Sequence, residues 1–292
     1  MPAIRGARPI KNKEIIDFHF HIDKNELKIP TLDQYQSVWR EWINYSNTKS
    51  LQGLDDFSHA DYTQGTSQTF DQFILRHSKD REIIVLNGDF QYHACLGKHV
   101  QFTTLHSPHH LESILKGPGL HALLISAPFS DFGCIHPDFE HIMKVCNVMD
   151  IPVCLDLAYW GIAKNVHINL NDFPAITEVT CSLSKPFFTL ENHRVGVRFT
   201  RDYVDDGISM LNEVKMQNNY SMTLGVEYMR NFSPDYNWEK YRDLYETICS
   251  NEELVWTDTM IFGLGDDARH SEFNRGVSGN YRVCISDWLG DC

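Results

Sequence analysis

The sequence predicts an α/β fold of three layers, a mainly parallel sheet between two layers of helices. From about residue 60 onward, short and wholly apolar segments alternate with stretches of helical period. Strands that lack a polar face belong to a sheet covered on both sides. The composition is globular: 42% hydrophobic, 12% aromatic and 22% charged, which excludes disordered, collagen-like and coiled-coil chains. At 292 residues the chain is near the upper size of one hydrophobic core, so one large domain with a smaller satellite from the chain ends is expected.

The elements follow in order. Thr31 and Gln34 form a capping-box pattern, and Leu32, Tyr35, Val38, Trp39, Trp42 and Ile43 follow at helical spacing, which predicts an early amphipathic helix. A helix near residues 67–76 precedes apolar strands at 83–86 and 122–126. A helix at 139–149 leads to a buried strand at 152–155, and strands around 176–181 and 195–199 continue the series. Helices near 203–214 and 238–249 precede a last strand at 281–285.

Lys and Arg number 26 against 39 Asp and Glu, a formal net charge of −13. A field of that sign repels phosphate backbones and anionic lipid faces, so neither nucleic acid nor a membrane surface is expected as a partner. No apolar run approaches a membrane span, and the basic residues 1–13 lack the apolar stretch of a secretory signal, so a cytoplasmic location is expected. The eight cysteines (Cys95, Cys134, Cys146, Cys154, Cys181, Cys249, Cys284, Cys292) are scattered without a C-x-x-C pair. They read as reduced core thiols, not as a zinc site.

Chemistry gathers around Lys185, which closes Ser182-Leu183-Ser184-Lys185 at the end of a predicted strand. Upstream, Asp156 ends an apolar strand, with Tyr159 three residues on, in Asp156-Leu157-Ala158-Tyr159-Trp160-Gly161. Downstream, Arg194-Val195-Gly196 puts an arginine beside a glycine at a strand start. Gly65-Thr66-Ser67 opens a helix, whose free N–H groups and hydroxyls suit a phosphate.

With these motifs in this order, the chain resembles the fold-type I pyridoxal-phosphate enzymes, specifically the class I/II aminotransferase family that includes aspartate aminotransferases and aminocyclopropane-carboxylate synthases. The resemblance runs from about Gly65 to Ser286. It implies a large domain that binds pyridoxal 5'-phosphate and a small α+β domain, reduced here because both ends are short. Residues 1–50 would contribute to the small domain, 51–200 form the large one and 201–292 the reduced C-terminal part.

It further implies that Lys185 forms the internal aldimine and then moves the Cα proton of an α-amino acid, giving a Cα carbanion. Asp156 would keep the pyridine nitrogen protonated, and Tyr159 would bond the ring 3-oxygen. Gly65, Thr66, Ser67, Ser182 and Arg194 would hold the phosphate. Phe90, with Tyr92 as a substitute, would stack on the ring, and Arg282 would clamp the substrate α-carboxylate. The reaction implied first is transamination; elimination, replacement or cyclisation is the alternative. A homodimer with the active site near its interface is implied as well.

The chain departs from the family in two places. Ser130-Asp131-Phe132-Gly133 stands where the family has an asparagine-proline-threonine-glycine turn, so Ser130 or Asp131 would replace the asparagine. Arg194 follows Lys185 by nine positions, one more than the common pattern. Two rival readings remain. Residues 15–21 resemble the D-x-H-x-H strand end of metal-dependent amidohydrolases, since His19 and His21 at i and i+2 on a strand point the same way. A binding module that has lost catalysis is the other, against which the retention of Lys185, Asp156, Tyr159 and Arg194 argues.

Overall fold

The computed structural model describes residues 6–23, 26–106, 120–275, 277 and 279–291. Helices α1 (Lys13–His21) and α2 (Leu32–Asn44) open the chain. The capping box forms as expected, with the Thr31 side chain accepting from Gln34 N–H and the Gln34 side chain accepting from Thr31 N–H. Strands β1 (Ser50–Gln52) and β2 (His59–Thr63), helix α3 (Thr66–His77), β3 (Arg81–Leu86), the short α4 (Tyr92–Leu96), β4 (Phe102–Leu105) and β5 (Leu120–Ser126) follow. Then come α5 (Phe139–Met149), β6 (Val153–Leu157), β7 (His167–Asn169), β8 (Ile176–Ser182) and β9 (Gly196–Thr200). The remainder is α6 (Gly207–Glu213), α7 (Asn219–Asn231), α8 (Tyr236–Asn251), β10 (Val255–Trp256), β11 (Phe262–Gly265), α9 (Asp267–His270), β12 (Tyr281–Cys284) and α10 (Ser286–Leu289).

Seven strands form the main sheet in the order β2-β9-β8-β6-β5-β3-β4. Neighbours pair in parallel except β9, which is antiparallel to both β2 and β8. The period of two along each strand sends alternate side chains to opposite cores. Ile83, Val85, Ala122, Leu124 and Cys154 join Phe70, Phe73 and Ile74 of α3 on one face. Ile84, Leu86, Leu123, Ile125, Val153 and Leu155 face the larger core with Tyr35, Trp39 and Trp42 of α2 and Met222 and Tyr228 of α7. This is the double coverage that the apolar strands predict. Fully burying each such side chain contributes about 2 kcal/mol.

A three-stranded antiparallel sheet, β10-β11-β12, packs with Trp238, Tyr241 and Tyr245 of α8 in a third core that also takes in Ile10 and Tyr159. Of residues 1–50, Ala7 and Ile10 pack in this C-terminal core, whereas Ile15 and the apolar face of α2 sit in the main one. The helix expected from residue 203 starts only at Gly207, because Asp206 is its N-cap and accepts from the N–H groups of Ile208 and Ser209.

One expectation is overturned. Residues 15–21 are not a strand end but part of α1, capped by Asn12, with Ile15 buried and Phe18 packed on the main core. On a helix, i and i+2 lie far apart around the axis, so His19 and His21 do not share a metal. His19 Nδ1 meets the Tyr228 hydroxyl at 3.0 Å and His21 Nδ1 the Asp17 carbonyl at 2.6 Å. Among the described residues there is no cluster of three or more metal-ligating side chains, and no helix is long and apolar enough to cross a membrane.

Candidate active site

The C-terminal ends of the parallel strands and the N-terminus of α3 converge on one cavity, the usual ligand position in such sheets. Gly65 makes the turn from β2 into α3 at φ +79°, a left-handed value that glycine adopts without strain. No side chain caps the helix N-terminus, and Thr66 and Ser67 line the cavity. The helix is held from both ends. Thr69 Oγ1 meets Thr180 Oγ1 of β8 at 2.9 Å, while Arg76 pairs with Asp206 at 2.7 Å and with Glu178.

Arg194 comes from the loop before β9 and is itself left-handed, at φ +56°. Such a conformation in a non-glycine residue costs on the order of 1 kcal/mol and persists only where its surroundings enforce it. Here the Tyr62 hydroxyl donates to the Arg194 carbonyl at 3.0 Å. The guanidinium lies over Gly65, where an added Cβ would stand 2.9 Å from Nη2. A cation, hydroxyls and a helix N-terminus thus face one space.

The other end of the cavity is acidic. Asp156, near the end of β6 and 4% exposed, accepts from Ala158 N–H at 2.9 Å. Burial pushes its pKa up to about 8; the nearby charge of Asp89 adds to this, and the Ala158 N–H and Lys185 oppose it. Lys185 lies three residues beyond β8 and donates from Nζ to the Ala7 carbonyl at 2.8 Å. Burial holds its pKa below the ordinary lysine value. Tyr159 packs edge-on against Phe262, with centroids 5.4 Å apart.

The Ser130-Asp131 turn carries two arginines. Arg282, on β12, donates from Nη1 to the Ser130 carbonyl and, at 3.2 Å, to the Ser130 hydroxyl, and its guanidinium stacks 4.2 Å from the Phe262 centroid. Arg275 pairs with Asp131 at 3.2 Å, and Asn280 donates to the same carboxylate at 2.8 Å.

Of the residues the sequence singles out, Thr66, Ser67, Phe90 and Ser130 line this cavity together with Asp156, Tyr159, Lys185 and Arg194. Phe90 takes that position instead of Tyr92, whose hydroxyl is tied to Asp71 at 2.9 Å. Gly65 forms the wall beneath Arg194. Ser182 and Arg282 stand behind the lining: the Ser182 hydroxyl is engaged by Ser184 at 2.9 Å and by the Val195 carbonyl at 3.2 Å. Ser184, Ser126 and Ala158 line the cavity without having been suspected. Only the S-x-S-K pattern contained a hint, since its second serine is the one nearer the lysine.

No protein-family model and no curated protein sequence matches the chain. Its structure is similar to that of a pyridoxal-phosphate-bound C-S lyase from Staphylococcus hominis, with a TM-score of 0.71 and 11% identity over 97% of this chain and 86% of that one. It is similar also to aspartate aminotransferase from Thermus thermophilus with maleate, with a TM-score of 0.66 and 15% identity over 98% and 87%. At such identities the likeness establishes the fold. The chain has the α/β fold of the fold-type I pyridoxal-phosphate enzymes, with a seven-stranded, mainly parallel sheet.

Proposed function

We propose that this protein is a pyridoxal-phosphate enzyme that acts at the Cα of an α-amino acid, an aminotransferase first and a lyase second. The observation that carries this reading is that Lys185, Asp156, Tyr159 and Arg194 line one cavity. The donor set fits the cofactor. Asp156 is a buried carboxyl with no cation paired to it among the described hydrogen bonds and ion pairs, as a ring nitrogen requires, and Gly65 leaves open the space beneath a guanidinium. When bound, the cofactor supplies an electron sink for charge developing at the substrate Cα.

The chain's own residues do the rest. Thr66, Ser67, Ser184 and Arg194 bind the phosphate, with Arg194 supplying the matching charge. Asp156 holds a proton at the pyridine nitrogen, and Tyr159 donates to the ring 3-oxygen. Phe90 fixes the ring plane. Lys185 is the attachment amine and, once free, moves the proton at Cα. Burial favours its neutral form, which that task needs. Ser130 replaces the family asparagine, and Arg282 supplies the positive charge that the substrate carboxylate faces across Ser130.

Transamination and elimination share this proton removal, and the similarity to both a lyase and an aminotransferase keeps the second reading in place. Cysteines scattered through apolar runs are in keeping with a cytoplasmic location, and the family resemblance supports a homodimer. The test is the absorption spectrum of purified protein with added cofactor, before and after borohydride, then with an amino-acid panel. A near-visible band fixed by borohydride on the peptide containing Lys185 is expected, and it should be absent in Lys185→Ala. No band with added cofactor, or a band retained in that variant, would sink the proposal. The products, a keto acid with transferred amine or an eliminated group, decide between the two reactions.

A further inference from the structure

Behind the cavity wall lies an acid that this mechanism does not use. Asp89 follows β3 by three residues and is 6% exposed. Its carboxyl accepts from Phe90 N–H at 2.7 Å, from Ser126 N–H at 3.0 Å and from the Ser126 hydroxyl. Ser126 ends β5, and its register partner on β6 is Asp156. Phe90 and Ser126 both line the cavity that Asp156 faces. One side chain therefore fixes two walls of the site from outside it and sets a second carboxyl near the first.

We propose that Asp89 is a positioning residue for a bound pyridine ring: it holds Phe90 and Ser126 in place, and its charge sets how firmly the Asp156 end of the cavity keeps a proton. The inference rests on the cavity being a pyridoxal-phosphate site. Two buried carboxyls in reach of each other do not both ionise freely, and they titrate as a pair. Burial raises the pKa of each, and the Asp89 charge raises that of Asp156 further. The opposing groups come from other elements. Lys185, after β8, acts on Asp156. Arg275, from the segment before β12, acts on Asp89 and donates to its carbonyl at 3.3 Å. His136, after β5, also feels the Asp89 charge. A proton kept on this side of the ring strengthens the sink that the reaction draws on.

Asp89→Asn removes the charge while the amide oxygen, in the place of Oδ1, still accepts from Phe90 N–H and the Ser126 hydroxyl; only the bond from Ser126 N–H is lost. The measurement is an infrared titration of the cofactor-free protein that follows the carbonyl stretch of protonated carboxyls, with the Asp156 band assigned by its loss in Asp156→Asn. In Asp89→Asn the Asp156 midpoint is expected to fall by about one pH unit, tenfold in proton affinity. With cofactor added, the pH at which the absorption band changes form should fall in the same variant. In Ser126→Ala, which takes one hydrogen bond from the Asp89 carboxyl but leaves the acid, the shift should be smaller than in Asp89→Asn. Asp89→Ser serves the same comparison if the asparagine variant does not fold. An unchanged infrared midpoint in a folded variant overturns the inference even if the cofactor band is intact. A shifted midpoint with no cofactor band in any protein overturns the cofactor reading, and with it the role assigned to Asp89.

Discussion

Burial raises the pKa of Asp156 to about 8, and this has a sign that can be tested. Its pKa rises from the carboxylate value of 3.8 to about 8 on folding. The folded state therefore binds a proton that the unfolded state gives up, and the stability so gained is complete below the lower value and lost as pH rises through the upper one. Urea unfolding of the cofactor-free protein should show a midpoint that falls across this window, and Asp156→Asn should show a smaller fall. Parallel pH curves for the two proteins would refute this account of the buried acid. Arg282→Ala removes a cation that holds Ser130 in place, so it should raise the amino-acid KM tenfold or more, on the order of 1.4 kcal/mol. An unchanged KM would put the carboxylate site elsewhere. The meeting of Asp156, Tyr159, Lys185 and Arg194 in one cavity was legible, because each stands in a short local pattern. Asp89 and Ser126 were not, because their meaning comes from the order of β3, β5 and β6 in the sheet, which no local pattern encodes.

At the scale of elements, the turn into α3 is the most demanding piece. Gly65→Ala would place a methyl group 2.9 Å from the Arg194 guanidinium at a φ of +79°. Cofactor affinity should fall by more than tenfold while the melting temperature drops only modestly, and equal affinity by fluorescence titration would contradict the crowding argument. Thr31→Ala removes one half of a capping box that does not line the cavity, so it should cost about 1 kcal/mol of stability and leave cofactor binding unchanged. Elements with one strong signal were readable: α5 and the apolar strands follow directly from their spacing. The DFHFH stretch misled because alternating aromatic and imidazole side chains mimic a strand, while the evidence for a helix lay outside it, in Asn12 as N-cap and in Ile15 and Phe18 three apart. β2 escaped notice because its charged and polar residues are satisfied inside the fold: Asp61 pairs with the buried Arg198 of β9 at 2.7 Å.

For the whole molecule, the fold's contribution is convergence. Residues as distant in sequence as Thr66 and Arg194 share one cavity because β9 runs antiparallel between β2 and β8 and brings its leading loop back beside α3. The small C-terminal sheet delivers Arg282 to the opposite side through its contact with Ser130. If the homodimer reading holds, light scattering should give twice the chain mass; a monomer with full activity would remove any need for a partner. The N-terminal segment bears on the same cavity. Ala7 accepts from Lys185, and a few residues on, the chain is fastened by Asp291, whose N–H donates to the Lys11 carbonyl at 3.1 Å and whose carboxylate accepts from Lys13 N–H at 2.5 Å. A lysine sheltered in this way is a clock. An acylating reagent attacks the amine most readily when residues 7–11 release it, so the labelling rate of Lys185 reports how often they do. Loosening the fastening with Asp291→Ala should make that clock run faster.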